Sequence, residues 1–111
     1  MVVKVGTSSI TDDDGVLDRA AMAKVCGEIV ALREQGHDVV LVSSAAIAAG
    51  LPALGLTARR RPRDPRTLQA VSAVGQARLM ELYNQVLAEL GDVVAGQVLL
   101  APLDFTVRRQ Y

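Results

Sequence analysis

Two short apolar runs separated by a helical stripe constrain this chain more than any other feature. Val2-Val3-Lys4-Val5 and Asp38-Val39-Val40-Leu41-Val42 are rich in β-branched residues and read as strands. Between them Met22, Val25, Cys26, Ile29, Val30 and Leu32 recur at helical spacing, with Arg19, Lys24, Glu28 and Glu34 mostly on the other side. Asp18 is placed to cap that helix and Gly36 to stop it. Strand, helix, strand is a βαβ unit, so the two strands are expected to run parallel, joined by a right-handed crossover. Their carboxyl ends then share one edge, the edge at which open α/β sheets bind ligands. Small residues occupy it: Gly6, Thr7, Ser8 and Ser9 after the first strand, Ser43 and Ser44 after the second.

After Ser44 comes an Ala-rich stretch that reads as a short helix ended by Gly50. Residues 52–65 break the pattern with three prolines, Gly55 and the basic cluster Arg59-Arg60-Arg61-Pro62-Arg63, followed by Arg66. Such a charge run is ordinarily a solvated loop, with a lid or an anion-binding segment as the alternative. Thr67 is placed to cap a long helix to Leu90, ended by Gly91. Its second half carries the stripe Leu79, Leu82, Tyr83, Val86, Leu87 and Leu90. Its first half, around Ala70, Val71, Ala73, Val74 and Gly75, is made of small side chains suited to close packing. Val93 to Leu100 gives a third strand and Ala101-Pro102 a third loop, while residues 104–111 read as the start of a further helix. The expected fold class is α/β: a parallel sheet of at least three strands with crossover helices, forming one domain.

Half of the 111 residues are hydrophobic but only two Tyr and one Phe are aromatic, so the core must be aliphatic. That suits helices on a parallel sheet whose strands are covered on both faces. Twelve basic and twelve acidic residues cancel. No global field therefore draws the chain to nucleic acid or an anionic membrane, and the basic loop lacks aromatics to stack bases. Cys26 has no cysteine partner and sits in the helical stripe as a small core hydrophobe. No apolar run reaches the ~20 residues of a membrane span, and no secretory signal precedes the first strand. A cytoplasmic protein is expected. The run Asp12-Asp13-Asp14-Gly15 reads as a solvated turn, with a metal or substrate contact as the lesser alternative, since three consecutive carboxylates make a poor cation site.

Gly6-Thr7-Ser8 after a strand offers backbone N–H groups and hydroxyls, which suits an anionic oxygen. It is neither a P-loop, since Lys4 precedes the glycine, nor a G-x-G-x-x-G dinucleotide fingerprint. A strand lysine is most often a surface charge. In a strand covered on both faces, however, an unpaired Lys4 would cost on the order of several kcal/mol, and an anionic ligand would relieve that.

Together, Val3-Lys4-Val5-Gly6-Thr7-Ser8, Gly36-His37, Val39-Val40-Leu41-Val42-Ser43-Ser44, Ala46-Ile47-Ala48-Ala49-Gly50, Ala73-Val74-Gly75-Gln76-Ala77-Arg78-Leu79 and Gly96-Gln97-Val98-Leu99-Leu100 resemble the first part of the glutamate 5-kinases, within the amino-acid kinase family. The resemblance implies that residues 1–111 are the N-terminal portion of a single kinase domain. It implies ATP-dependent phosphorylation of the side-chain carboxylate of L-glutamate, the first step toward proline, with Mg²⁺ and in a homo-oligomer. Lys4 would be catalytic and, with Gly6, Thr7 and Ser8, would hold phosphate oxygens of ATP, while Ser44 and Ala45 would meet the glutamate. No metal ligand is implied within the chain. The family usually has glycine where this chain has Ala45, which adds a Cβ beside the acceptor. The adenine site and second catalytic lysine would lie beyond Tyr111, so the chain alone is expected to be inactive. The alternatives are another kinase of the family, or a catalytically incomplete binding or assembly module.

Overall fold

The computed structural model describes residues 1–57 and 60–98. In chain order these form β1 (Val2–Val5), a 3₁₀ turn (Thr7–Ser9), α1 (Arg19–Glu34), β2 (Val40–Ser43), α2 (Ala46–Ala53) and α3 (Pro65–Gly91). β1 and β2 pair in parallel, Val2 with Val40 through to Val5 with Ser43. The βαβ unit is therefore present as its pattern requires. α1 starts where the Asp18 carboxylate accepts from the N–H groups of Ala20 and Ala21, at 3.0 and 3.4 Å. It closes where Gly36, at φ 89°, lets the His37 N–H reach back to the Leu32 carbonyl, 3.1 Å away.

The two later helices depart from the sequence expectation at their ends. α2 does not stop at Gly50 but continues through it, with Pro52 in its last turn, and ends where Gly55 takes φ 70°. Gly50 is a packing residue. A Cβ there would lie 2.1 Å from the Val71 carbonyl oxygen, and one on Gly75 would lie 1.6 Å from the Ala46 carbonyl oxygen. α2 and α3 thus cross backbone to backbone, which is what the small residues of α3 permit. The cap of α3 is Asp64, not Thr67: its carboxylate accepts from both the N–H and the hydroxyl of Thr67, at 3.2 and 2.9 Å. Pro65, with no N–H to satisfy, opens the helix. α3 then ends one residue past Leu90, with Asp92 in the left-handed region.

The expected third strand is not formed among the described residues. Residues 93–98 make no ladder, and the Asn84 amide bonds the backbone in their middle. It accepts the Ala95 N–H at 2.7 Å and donates to the Ala95 carbonyl at 3.3 Å. Residues 99 and 100, the loop Ala101-Pro102 and residues 104–111 lie outside the described residues, as does Arg59 of the basic cluster.

One face of the sheet is covered. Val3, Val5, Leu41 and Ser43 point inward, where Val5 joins Ile10, Met22, Cys26, Leu79, Tyr83 and Val86 in a core that is aliphatic apart from the tyrosine. Each such side chain, fully buried, contributes about 1.5–3 kcal/mol. Among the described residues the opposite face is bare: Val2, Val40 and Val42 are 64%, 59% and 47% exposed, and Lys4 lies among them, paired in register with Val42. The expectation of a sheet covered on both faces is corrected accordingly. Lys4 is exposed, so it carries no burial penalty.

Candidate functional site

β1 and β2 end together at the paired residues Val5 and Ser43, and the chain leaves the sheet there through Gly6-Thr7-Ser8 on one side and Ser44 on the other. The first exit is a tight 3₁₀ turn, in which the Ser9 N–H bonds the Gly6 carbonyl at 3.1 Å and the Ile10 N–H bonds the Thr7 carbonyl at 3.2 Å. Ile10, fully buried, anchors it to the core, and the Thr11 hydroxyl donates to the Thr7 carbonyl at 2.9 Å. So held, Thr7 Oγ1 lies 3.3 Å from Ser44 Oγ, which joins two segments 37 residues apart. This is the edge that the βαβ pattern marks, and Thr7 and Ser44 are the expected site residues that it brings into contact.

Gly6, Ser8 and Ser44 are exposed along this edge. Gly6 has an ordinary extended backbone, φ −73° and ψ 156°, and a Cβ on it would meet nothing within 4 Å. Neither conformation nor internal packing requires glycine there; open space for a close-approaching ligand is what the position provides. Lys4, two residues earlier, stands on the bare face of the same strand. Ala45 is fully buried, part of the core cluster, at φ −86°. Its methyl therefore lies in the core and not in the open edge. Ala45 presents no surface to a ligand, and its backbone makes no demand for glycine.

The sequence reading missed what lies under Ser44. Ser43 Oγ and Tyr83 Oη are both buried and neither has a hydrogen-bond partner. An orphaned buried hydroxyl costs about 1–3 kcal/mol. Burial pushes the Tyr83 phenol above its usual range, while the adjacent Ser43 hydroxyl pulls it back and Cys26 adds to the rise. Burial alone raises the Cys26 thiol to about 11. Strand alternation held the signal: Ser43 is in phase with Leu41, hence inward, and Tyr83 lies on the apolar stripe of α3.

The remaining polar features do not converge here. Asp12 to Asp14 form an exposed turn whose Asp12 carboxylate accepts from the Asp14 and Val16 N–H groups, at 2.9 and 3.0 Å. Among the described residues no group of three or more His, Cys, Asp or Glu is placed to hold a metal ion. Arg60, Arg61 and Arg63 are exposed, as a solvated loop requires, and Arg66, also exposed, lies in the first turn of α3. A cleft of about 310 Å³ lies away from the strand edge, lined by Val16, Leu17, Pro52, Arg78, Glu81 and Gln85 among others. No helix among the described residues is long and apolar enough to cross a membrane.

The described residues thus form an α/β unit whose parallel strand pair brings the hydroxyls of Thr7 and Ser44 together at its carboxyl edge. The model of the amino acid kinase family matches residues 1–110, and the chain belongs to that family. Over all 111 residues it is 46% identical to a glutamate 5-kinase of Pelobacter propionicus, 48% to one of Paraburkholderia xenovorans and 47% to one of Mycolicibacterium paratuberculosis. The chain spans 29% of the length of each of these relatives.

Proposed function

We propose that the chain works as part of a glutamate 5-kinase, in which a side-chain carboxylate oxygen of L-glutamate attacks the γ-phosphorus of ATP to give glutamyl 5-phosphate and ADP. The observation that carries this is the approach of Thr7 Oγ1 to Ser44 Oγ at the shared strand edge, 3.3 Å apart. It supports a site where phosphoryl donor and acceptor meet. A carboxylate is already ionised at neutral pH, so the attack needs no general base. What remains is in-line positioning and positive charge on the transferred oxygens. Lys4 supplies that charge from β1, with Gly6, Thr7 and Ser8 at the phosphates of ATP. The Ser44 hydroxyl contacts the glutamate, and buried Ala45 acts only by setting the start of α2 beneath it.

Several further features belong to this reading. Residues 1–111 are the first portion of one amino-acid kinase domain, and its parallel sheet has three strands or more. Support for the first of these comes from the exposed valines of the outer face, which a further layer would cover. Mg²⁺ arrives with ATP and not on ligands from this chain. The protein is cytoplasmic and homo-oligomeric, and residues 1–111 alone give no turnover.

The test is acyl-phosphate formation, trapped with hydroxylamine, by the protein expressed from its own gene. Product is expected only with both ATP and glutamate. Lys4→Met is expected to lower kcat by roughly 10²–10³, as for loss of one charge-stabilising donor, with little change in KM for glutamate. A raised KM at unchanged kcat would assign Lys4 to uniform binding and overturn its role.

A further inference from the structure

We propose that Tyr83 is a positioning residue for Ser44, acting through a buried pairing of its phenol with the Ser43 hydroxyl. As a statement about catalysis, this rests on the reading that Ser44 meets the acceptor; as a statement about the strand end, it stands by itself. Among the described residues, Ser43 Oγ and Tyr83 Oη are the buried side-chain polar atoms with no hydrogen-bond partner. They are neighbours, since the Ser43 hydroxyl acts directly on the Tyr83 phenol. Ser43 is the inward-facing partner of Val5 in the sheet, and Val5 and Tyr83 share one core cluster. Two orphaned hydroxyls in the same part of a largely aliphatic core would each gain a partner by bonding to each other. Either can donate and either can accept.

The consequence falls on the next residue. Ser44 has left the ladder and precedes the first turn of α2, so its orientation is inherited from Ser43 on one side and buried Ala45 on the other. α2 has no side-chain cap that would fix Ser44 independently. A bond from α3 to Ser43 pins the last paired residue of β2 against rotation, and with it the direction in which the Ser44 hydroxyl leaves the sheet. Thr7 Oγ1 sits within hydrogen-bond reach of that hydroxyl, so a rotation at Ser43 would separate the pair.

The experiment compares Tyr83→Phe, Ser43→Ala, Ser43→Thr and the Tyr83→Phe/Ser43→Ala double variant in the protein expressed from its own gene. Two readouts need no activity. With ring-labelled tyrosine, the NMR signal that disappears in Tyr83→Phe identifies Tyr83. That signal is expected to shift in Ser43→Ala and to return toward its original position in Ser43→Thr, which restores a hydroxyl. Hydrogen exchange at the Ser44 amide is expected to accelerate in Tyr83→Phe while exchange at Leu41, in the same strand, does not.

The kinetic arm follows. Tyr83→Phe is expected to raise KM for glutamate about fivefold, the size of one neutral hydrogen bond, with KM for ATP unchanged. The double variant is expected to be no worse than the more affected single variant. An unmoved Tyr83 signal in Ser43→Ala overturns the pairing. Equal acceleration of exchange at Ser44 and Leu41, or a fall in thermal stability with both KM values unchanged, makes Tyr83 merely structural and overturns its positioning role. Absence of glutamate turnover in the unsubstituted protein refutes the kinase reading instead, and the Tyr83 signal and Ser44 exchange still decide the pairing.

Discussion

Replacing Gly75 by alanine should unseat α2 from α3. The added Cβ would fall 1.6 Å from the Ala46 carbonyl oxygen, 2.6 Å from the Gly50 nitrogen and 2.7 Å from the Ala46 carbonyl carbon. All three are backbone atoms, so no side-chain rotation relieves the overlap and the helices must separate by more than an ångström. Overpacking in a well-packed interior costs about 1–3 kcal/mol, and a clash with rigid backbone belongs at or above the top of that range. Alanine's higher helix propensity returns about 1 kcal/mol. The expected net loss is roughly 2 kcal/mol or more, a fall of about 8–16 °C in Tm for a domain of this size. Gly27 supplies the control. It too lies within a helix, but a Cβ there meets nothing within 4 Å and its φ is not positive. Gly27→Ala should therefore gain the propensity term alone, raising Tm by about 4–8 °C. Thermal denaturation followed by far-ultraviolet circular dichroism measures both. Equal shifts of the same sign in the two variants would refute the claim that α2 and α3 meet through their backbones.

Two further outcomes follow from buried polar chemistry. The Cys26 thiol, raised from 9.0 to about 11 by burial, stays protonated in the folded chain where the unfolded chain ionises. Its contribution is full below pH 9.0 and is lost as pH rises toward 11, an erosion of roughly 2–3 kcal/mol at 1.36 kcal/mol per unit. Chemical denaturation between pH 7 and 11 should show a steeper loss in the parent than in Cys26→Ala, and parallel curves would contradict it. Asn84→Ala removes both bonds to Ala95 and should cost about 1–2 kcal/mol, with faster amide exchange at Ala95; Asn84→Asp, which keeps the acceptor for the Ala95 N–H, should fall between.

The legible part of this chain was the part that local chemistry decides. Asp18, Gly36 and the α1 stripe each act within a few residues of themselves, so the βαβ unit and its shared edge could be read directly. Gly50 was misread because a glycine near a helix end usually terminates it, whereas here a contact with Val71, distant in sequence, requires it. Thr67 was misread for a subtler reason: it takes part in the cap, but as donor to Asp64. The third strand could not be separated from an extended segment by composition, since Asn84, and not a neighbouring strand, satisfies Ala95. Lys4 was expected to be buried because its neighbours are apolar, but an apolar run records the covering of both faces only where both layers are present. In the described residues one face is bare, and Val2, Val40 and Val42 are exposed there.

The supports of the two hydroxyls at the strand edge differ, and this bears on how the site works. Thr7 is fixed locally, by its own turn and by Ile10 a few residues on. Ser44, on the pairing proposed above, is fixed at a distance, by α3. Gly75 admits the first turn of α2 against the helix, and Tyr83, eight residues further along and about 12 Å up the axis, underlies Ser43. On that pairing a shift of α3 would reach Ser44 through Ser43, and Thr7 only through Ile10, which shares the core with Leu79, Tyr83 and Val86. The 3.3 Å between their hydroxyls is accordingly a measure of α3 packing as much as of the strand pair. Phosphoryl transfer depends on the relative placement of donor and acceptor more than on any single reactive group. On the proposed function, substitutions on the inner face of α3 should act first on glutamate binding and only afterwards on the phosphate contacts of Gly6, Thr7 and Ser8.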